Sequence, residues 1–188
     1  AGRLSSTPDP LHLLFFGIVR PYKGLDVLLR ALARAGDGFT LTVAGEFWAG
    51  LDATRVLVSE LGLEDRVELR PGYVPVREIG GLLRRADALV LPYRSATASQ
   101  NVWLAFAHGV PVIATRTGTF CEQVSDDVDG LLCEPGDGAS LAAALVRFGG
   151  PGVAERLRHG VRAVEPGALW EAYLDALLAA ASPGTPPA

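Results

Sequence analysis

Methionine is absent from the 188 residues, lysine occurs once, at Lys23, and cysteine twice, at Cys121 and Cys133. Without an initiating Met, Ala1 is expected to be a product of truncation. The two cysteines have no metal-ligand spacing to each other or to the three histidines, which argues against a disulfide framework or a zinc site. Both are expected to be free thiols in the core. Positive charge is not in excess: the net charge is −4 and the pI near 5.4, so nothing favours tracking a nucleic-acid backbone. No apolar run approaches the roughly 20 residues that span a bilayer. The first ten residues, with Ser5, Ser6, Pro8 and Pro10, do not resemble a signal peptide. The expected protein is soluble and cytoplasmic, with no transmembrane segment. A hydrophobic fraction of 49% supports one domain with a core of its own. Arginine makes up every basic position except Lys23. Under so strong a bias, the compact ammonium at position 23 is singled out as a point charge that an arginine fork would not reproduce.

Hydrophobic periodicity alternates between strand and helix. Leu11–Phe16 is apolar apart from His12 and ends at Gly17, as in a strand covered on both faces. After a loop over residues 18–23, Leu25, Leu28, Leu29 and Leu32 fall on one helical face, with Asp26, Arg30 and Arg34 opposite. The unit recurs. Strands are expected at residues 39–44, 66–69, 88–91, 110–115 and 130–133, and helices at 51–61, 77–85, 99–108, 122–124, 139–148 and 168–181. Alternation with short connections implies an α/β fold, a Rossmann-like doubly wound parallel sheet of about six strands. Its ligand belongs at the carboxyl ends of the strands. Residues 1–10 read as a linker, 11–181 as the domain, and 182–188 as a disordered tail.

At the end of the first strand the chain reads Phe16-Gly17-Ile18-Val19-Arg20-Pro21-Tyr22-Lys23-Gly24-Leu25. Gly17 lets the backbone turn close beneath a ligand, Arg20 and Lys23 suit phosphate oxygens, and the following helix points its N-terminus at the same place.

This loop resembles the phosphate-binding loop of the C-terminal domain of family 4 glycosyltransferases. The resemblance is extended, in family order and spacing, by Ala86-Asp87-Ala88-Leu89-Val90-Leu91-Pro92-Tyr93, by the stretch from Ala105 to Thr115, by Gly118 and Glu122-Gln123-Val124, by Asp129-Gly130-Leu131-Leu132 and by Pro135-Gly136-Asp137. It covers residues 11–148 and implies one half of a GT-B enzyme: a domain that binds a UDP- or GDP-linked sugar, with the acceptor held by an N-terminal domain that these residues do not include. By resemblance, Gly17, Arg20 and Lys23 hold the diphosphate, with Arg20 and Lys23 stabilising the leaving group. Tyr73 and Val74 border the base. Ser99, Gln100 and Asn101 offer amides at a helix N-terminus to the distal phosphate, and Glu122 orients sugar hydroxyls. The sugar would be transferred with retention of configuration. No cofactor or metal is implied, and peripheral membrane contact of a longer protein stays open.

The chain departs from the family where many members carry two glutamates before the Ala-x-Gly-x-Pro entry; counting back from Gly109, those positions hold Ala96 and Leu104. Ser95-Ala96-Thr97-Ala98-Ser99-Gln100 instead resembles a branch with Ala-Thr-Gln-Ser-Gly, with Ala98 and Gln100 replacing its Gln and Gly. A non-catalytic nucleotide-binding module of the same fold and a GT-B sugar-nucleotide epimerase therefore remain alternatives. His12 reads as a satisfied core histidine, Trp48 as packing beside the Gly45 turn, and Arg84-Arg85 as a solvated helix face. His108 and Glu46 are further polar residues near strand ends.

Overall fold

The computed structural model describes residues 9–96 and 99–162. Six parallel strands form one sheet: β1 (Leu11–Phe16), β2 (Phe39–Gly45), β3 (Val67–Pro71), β4 (Ala88–Leu91), β5 (Val112–Thr115) and β6 (Gly130–Cys133), in the order β3-β2-β1-β4-β5-β6. The expected α/β, Rossmann-like doubly wound sheet is the fold observed. The order reverses between β1 and β4, so a crevice opens beyond the carboxyl ends of these two strands.

Alternate side chains of β1, β4 and β5 enter different cores, which is why these strands read as nearly unbroken apolar runs, whereas the edge strand β3 turns Val67 and Leu69 inward and leaves Glu68 and Arg70 exposed. Leu13, Phe15, Leu41, Val43, Val90 and Ile113 pack under α1 (Leu25–Arg34), α2 (Leu51–Glu60), α6 (Gly138–Phe148) and α7 (Val153–Gly160). Leu14, Ala44, Leu89, Leu91, Val112 and Ala114 pack under α3 (Val76–Arg85), α4 (Asn101–Ala107) and α5 (Phe120–Gln123). In α1 the buried Leu25, Leu28, Leu29 and Leu32 face the sheet, while Asp26, Arg30 and Arg34 are exposed.

Several boundaries differ from expectation for local reasons. β5 begins at Val112, not Val110, because Pro111 has no N–H to give; its carbonyl accepts from Leu89 N at 3.0 Å and opens the pairing. α4 begins at Asn101, not Ser99: the Ser99 hydroxyl accepts from Asn101 N at 3.3 Å and so caps the turn from outside, and Gln100 O accepts from Leu104 N. Helix α7 was not expected, since Leu157 is its one fully buried side chain and Gly149-Gly150-Pro151-Gly152 reads as a loop. The helix expected at 168–181, the tail 182–188 and most of the 1–10 linker lie outside the described residues.

His12 has the expected partners but is half-buried and not in the core. Its ring nitrogens lie 3.0 Å from Thr40 Oγ1 and 3.2 Å from Thr42 Oγ1. Burial holds its pKa below the usual value, opposed by the carboxylates of Asp87 and Glu68. The thiols are not both internal: Cys133 is buried, with its Sγ 3.4 Å from Ala114 O, whereas Cys121 is exposed on α5, where the helix turns that face outward. No helix among the described residues is long and apolar enough to cross a membrane.

Candidate functional site

The crevice at the β1–β4 switch is built from the loop that follows β1. Gly17 continues the ladder with its N–H on Ala44 O at 2.9 Å, and Val19 N donates to Glu46 O at 2.7 Å, so the loop stays zipped to the chain leaving β2. It then tightens into a 3-10 turn, Pro21–Lys23, started by a proline whose missing N–H costs nothing there. Gly24 closes the turn in the left-handed region, at φ 70°. A Cβ on it would sit 2.1 Å from Pro92 O, so only glycine allows this loop to lie against the end of β4. Arg94 fastens the other side: its N–H donates to Tyr22 O, its guanidinium to Pro21 O at 2.8 Å and, by both Nη atoms, to the Asp26 carboxylate at 2.9 and 2.6 Å. The Arg94 guanidinium beside it holds the Asp26 carboxyl below the usual carboxylate range.

Two groups converge on Gly17, whose φ of 106° an ordinary residue rarely adopts. The position a Cβ would take lies 3.4 Å from the Lys23 ammonium and 3.6 Å from Asn101 Nδ2. Asn101 Nδ2 in turn donates to Phe16 O at 3.0 Å, joining the start of α4 to the end of β1. The Lys23 ammonium stands 5.3 Å from the centroid of Tyr93, and the Arg20 guanidinium carbon 3.8 Å from that of Trp48. Among the described residues neither cation is in an ion pair, whereas Arg94, Arg116, Arg147, Arg156 and Arg158 each have a carboxylate partner. Burial, helped by the positive charge of Arg20, lowers the Lys23 pKa. Two like charges are thus held together, partly desolvated, at the switch point, an arrangement that favours an anion.

Tyr93 is buried between Tyr22 and Phe120, edge-on to both at centroid distances of 5.9 and 5.3 Å. Its hydroxyl, near Ser99 and Asn101, makes no hydrogen bond among the described residues, and burial pushes its pKa up to about 12. Beside Gly17 a cleft of about 440 Å³ runs over the ends of β1, β2 and β3. Phe16, Ile18, Val74, Val76 and Ile79 give it apolar walls, with Tyr73 and Glu46 at its edge. A hollow of about 550 Å³ lies at the opposite end of the sheet, around Leu11, Phe39 and Gly149, away from both free cations.

A family model described as "Glycosyl transferases group 1" matches residues 10–149. The chain belongs to the group 1 glycosyltransferases. It is 32% identical to D-inositol 3-phosphate glycosyltransferase of Segniliparus rotundus, over 94% of this chain and 40% of that protein. It is 33% identical to the enzyme of that name from Geodermatophilus obscurus, over 95% and 41%. Among solved structures, sucrose-phosphate synthase from Thermosynechococcus elongatus superposes with a TM-score of 0.77 at 28% identity, over 93% of this chain and 47% of that one. The C-terminal domain of a group 1 glycosyltransferase, LpcC, from Francisella tularensis does so with 0.71 at 24% identity, over 81% and 83%. Anabaena HepE in complex with UDP and glucose gives 0.73 at 22%, over 89% and 49%. The chain spans about two-fifths of the length of the D-inositol 3-phosphate glycosyltransferases it matches, and its sheet is one Rossmann-like half of a GT-B glycosyltransferase fold.

Of the residues singled out in the sequence, Gly17, Arg20, Lys23, Ser99 and Asn101 meet at the switch point of this glycosyltransferase fold, and Tyr73 and Val74 meet at the adjoining cleft. Gln100 is exposed just before α4. Glu122 is exposed on α5, two residues beyond the Phe120 that packs on Tyr93. Trp48 is not packed beside the Gly45 turn but is 62% exposed, with Arg20 on its face. Sequence reasoning did not find Arg94 or Tyr93. Arg94 is one of many arginines, and its pairing with Asp26 across 68 positions leaves no local trace. Tyr93 did carry a signal, a large aromatic directly after the β4 stop at Pro92.

Proposed function

We propose that this chain is the donor half of a sugar transferase, binding a UDP- or GDP-linked sugar with its diphosphate over Gly17, between Arg20, Lys23 and the first turn of α4. The reading rests on one observation: the Lys23 ammonium stands over Gly17 at the switch point within the electrostatic reach of Arg20, neither cation having a carboxylate partner among the described residues, next to a base-sized cleft. The base enters that cleft past Tyr73 and Val74. Ser99, Gln100 and Asn101 lie beside the distal phosphate, and Glu122 faces the sugar. The bond between the sugar's anomeric carbon and the phosphate oxygen breaks, the oxygen of an acceptor hydroxyl takes its place on the same face with retention of configuration, and the departing diphosphate oxygen carries away the bonding electrons and takes the hydroxyl proton. Arg20 and Lys23 stabilise that leaving charge where it develops, so the step requires no protein nucleophile and no metal. The acceptor is held by a domain outside this chain. HepE, similar in fold, is described in complex with UDP and glucose, which supports a nucleoside diphosphate as ligand.

Calorimetry of the 188-residue chain with a panel of nucleoside mono- and diphosphates tests the reading. UDP or GDP is expected to bind weakly, with no sugar transfer by this chain alone. Absence of heat and of thermal shift with every nucleoside diphosphate at millimolar concentration would overturn it.

A further inference from the structure

We propose that Trp48 is a positioning residue for the phosphate site: its indole face seats the Arg20 guanidinium without neutralising it. The inference rests on the donor-site reading above and assigns that site a part outside the phosphate loop.

The guanidinium carbon lies 3.8 Å from the ring centroid, a stacking distance. Trp48 is 62% exposed, so the ring is not there to fill a core. The backbone nevertheless holds it in place. Val19 N donates to Glu46 O, Trp48 N to Val19 O at 3.4 Å, and Val19 pairs with Phe47 in a parallel bridge, so the residue next to Arg20 is locked to the residue next to Trp48. The indole is therefore presented to Arg20 by the same rungs that shape the loop.

The alternative way to fix an arginine is visible a few residues away. Arg94 is clamped by both Nη atoms to Asp26, an arrangement that positions the side chain and cancels its charge. A ligand phosphate would have to displace that carboxylate first. An aromatic face attracts a cation through its quadrupole and carries no net charge, so a seated arginine keeps its full charge for an incoming anion. The seat also removes ordering cost, because arginine otherwise loses much side-chain freedom on binding. Lys23 is treated in a similar way, its ammonium 5.3 Å from the centroid of Tyr93. Two cations that repel each other are thus held close before any anion arrives, with no carboxylate among the described residues to close the site.

The test is a binding cycle on the 188-residue chain, with UDP and GDP as probes, by calorimetry. Because Trp48 lies on the surface, its variants should fold, and thermal melts check this. Trp48→Ala is expected to weaken diphosphate binding about three- to tenfold, and Trp48→Phe to recover part of the loss. Trp48→Glu is expected to weaken it beyond Trp48→Ala, by pairing with Arg20. In an Arg20→Ala background, Trp48→Ala should change affinity by less than about twofold. The proposal is overturned if Trp48→Ala binds as wild type, or if its loss is undiminished without Arg20, which would mean that the indole touches the nucleotide itself. If Arg20→Ala weakens binding and Trp48→Ala does not, this inference alone fails. If neither nucleotide binds the wild type, the donor-site reading fails and takes the inference with it.

Discussion

The side-chain amide of Asn101 donates to the carbonyl of Phe16, 85 positions earlier in the chain, at 3.0 Å. This bond joins the two halves of the proposed phosphate site, since Phe16 leads into Gly17 and Asn101 begins α4. Asn101→Val should cost about 1 kcal/mol in stability and weaken UDP or GDP binding several-fold, because α4 is no longer registered against the loop. Asn101→Asp should be worse for binding, placing a negative charge beside the Lys23 ammonium. Denaturant melts and calorimetry on both variants check the pair. Equal affinity for Asn101→Asp and wild type would show that the phosphate lies elsewhere.

Arg20→Ala and Lys23→Ala should each weaken nucleoside diphosphate binding by about ten- to a hundredfold, equivalent to about 1.5 to 3 kcal/mol for a charge-assisted contact. Neither cation carries an ion pair among the described residues, so the melting temperature should scarcely fall. Loss of fold in either variant would assign these residues a structural role.

The lowered Lys23 pKa sets the sign of a pH effect. In the folded chain the ammonium loses its proton more readily than in the unfolded chain, so the unfolded state binds more protons between the lowered pKa and the ordinary lysine value. Stability of the unliganded chain should therefore gain from Lys23 as pH rises through that window. Diphosphate affinity should move the opposite way, falling as the ammonium is lost. The contribution is isolated as the difference between wild type and Lys23→Ala in melts and titrations from pH 7 upward. A wild-type affinity that follows the Lys23→Ala curve would sink this account.

Much of the fold could be read from periodicity because the central strands feed two cores, and the β1 loop could be read because glycine, proline and two cations in a short stretch have few structural uses. The parts that stayed hidden depend on long-range contacts. Nothing near position 94 announces that Arg94 will close on Asp26, and nothing near Trp48 indicates that it will face Arg20 rather than the Gly45 turn. The start of α4 was misplaced by two residues because Ser99 is a good cap and a tolerable first-turn residue alike.

Counted back from Gly109, Leu104 falls where many family members carry a glutamate, and it packs half-buried against the core beneath α3, α4 and α5. If that count places Leu104 at the ribose, UDP and 2′-deoxy-UDP, or the guanine pair, should bind within about fivefold of each other, about 1 kcal/mol. Competition titrations measure the ratio. A hundredfold preference for the ribo form would show that another residue takes the hydroxyls. Absence of any turnover by a longer protein containing this chain, over donor and acceptor panels, would favour a nucleotide-binding module that has lost its chemistry.

The reversal of strand order between β1 and β4 also governs when the site comes into being. β1 can pair with β2 early, across a single helix, but its pairing with β4 closes a loop long enough to bring His12 N onto Asp87, 75 positions away. Long loops are slower to close than short ones. Gly17 and Lys23 meet Asn101 only after that closure, so the proposed phosphate site depends on it. If the proposed donor site is right, a nucleoside diphosphate added during refolding has nothing to hold until the sheet is joined across its middle, and from then on it should retard the reopening of that seam.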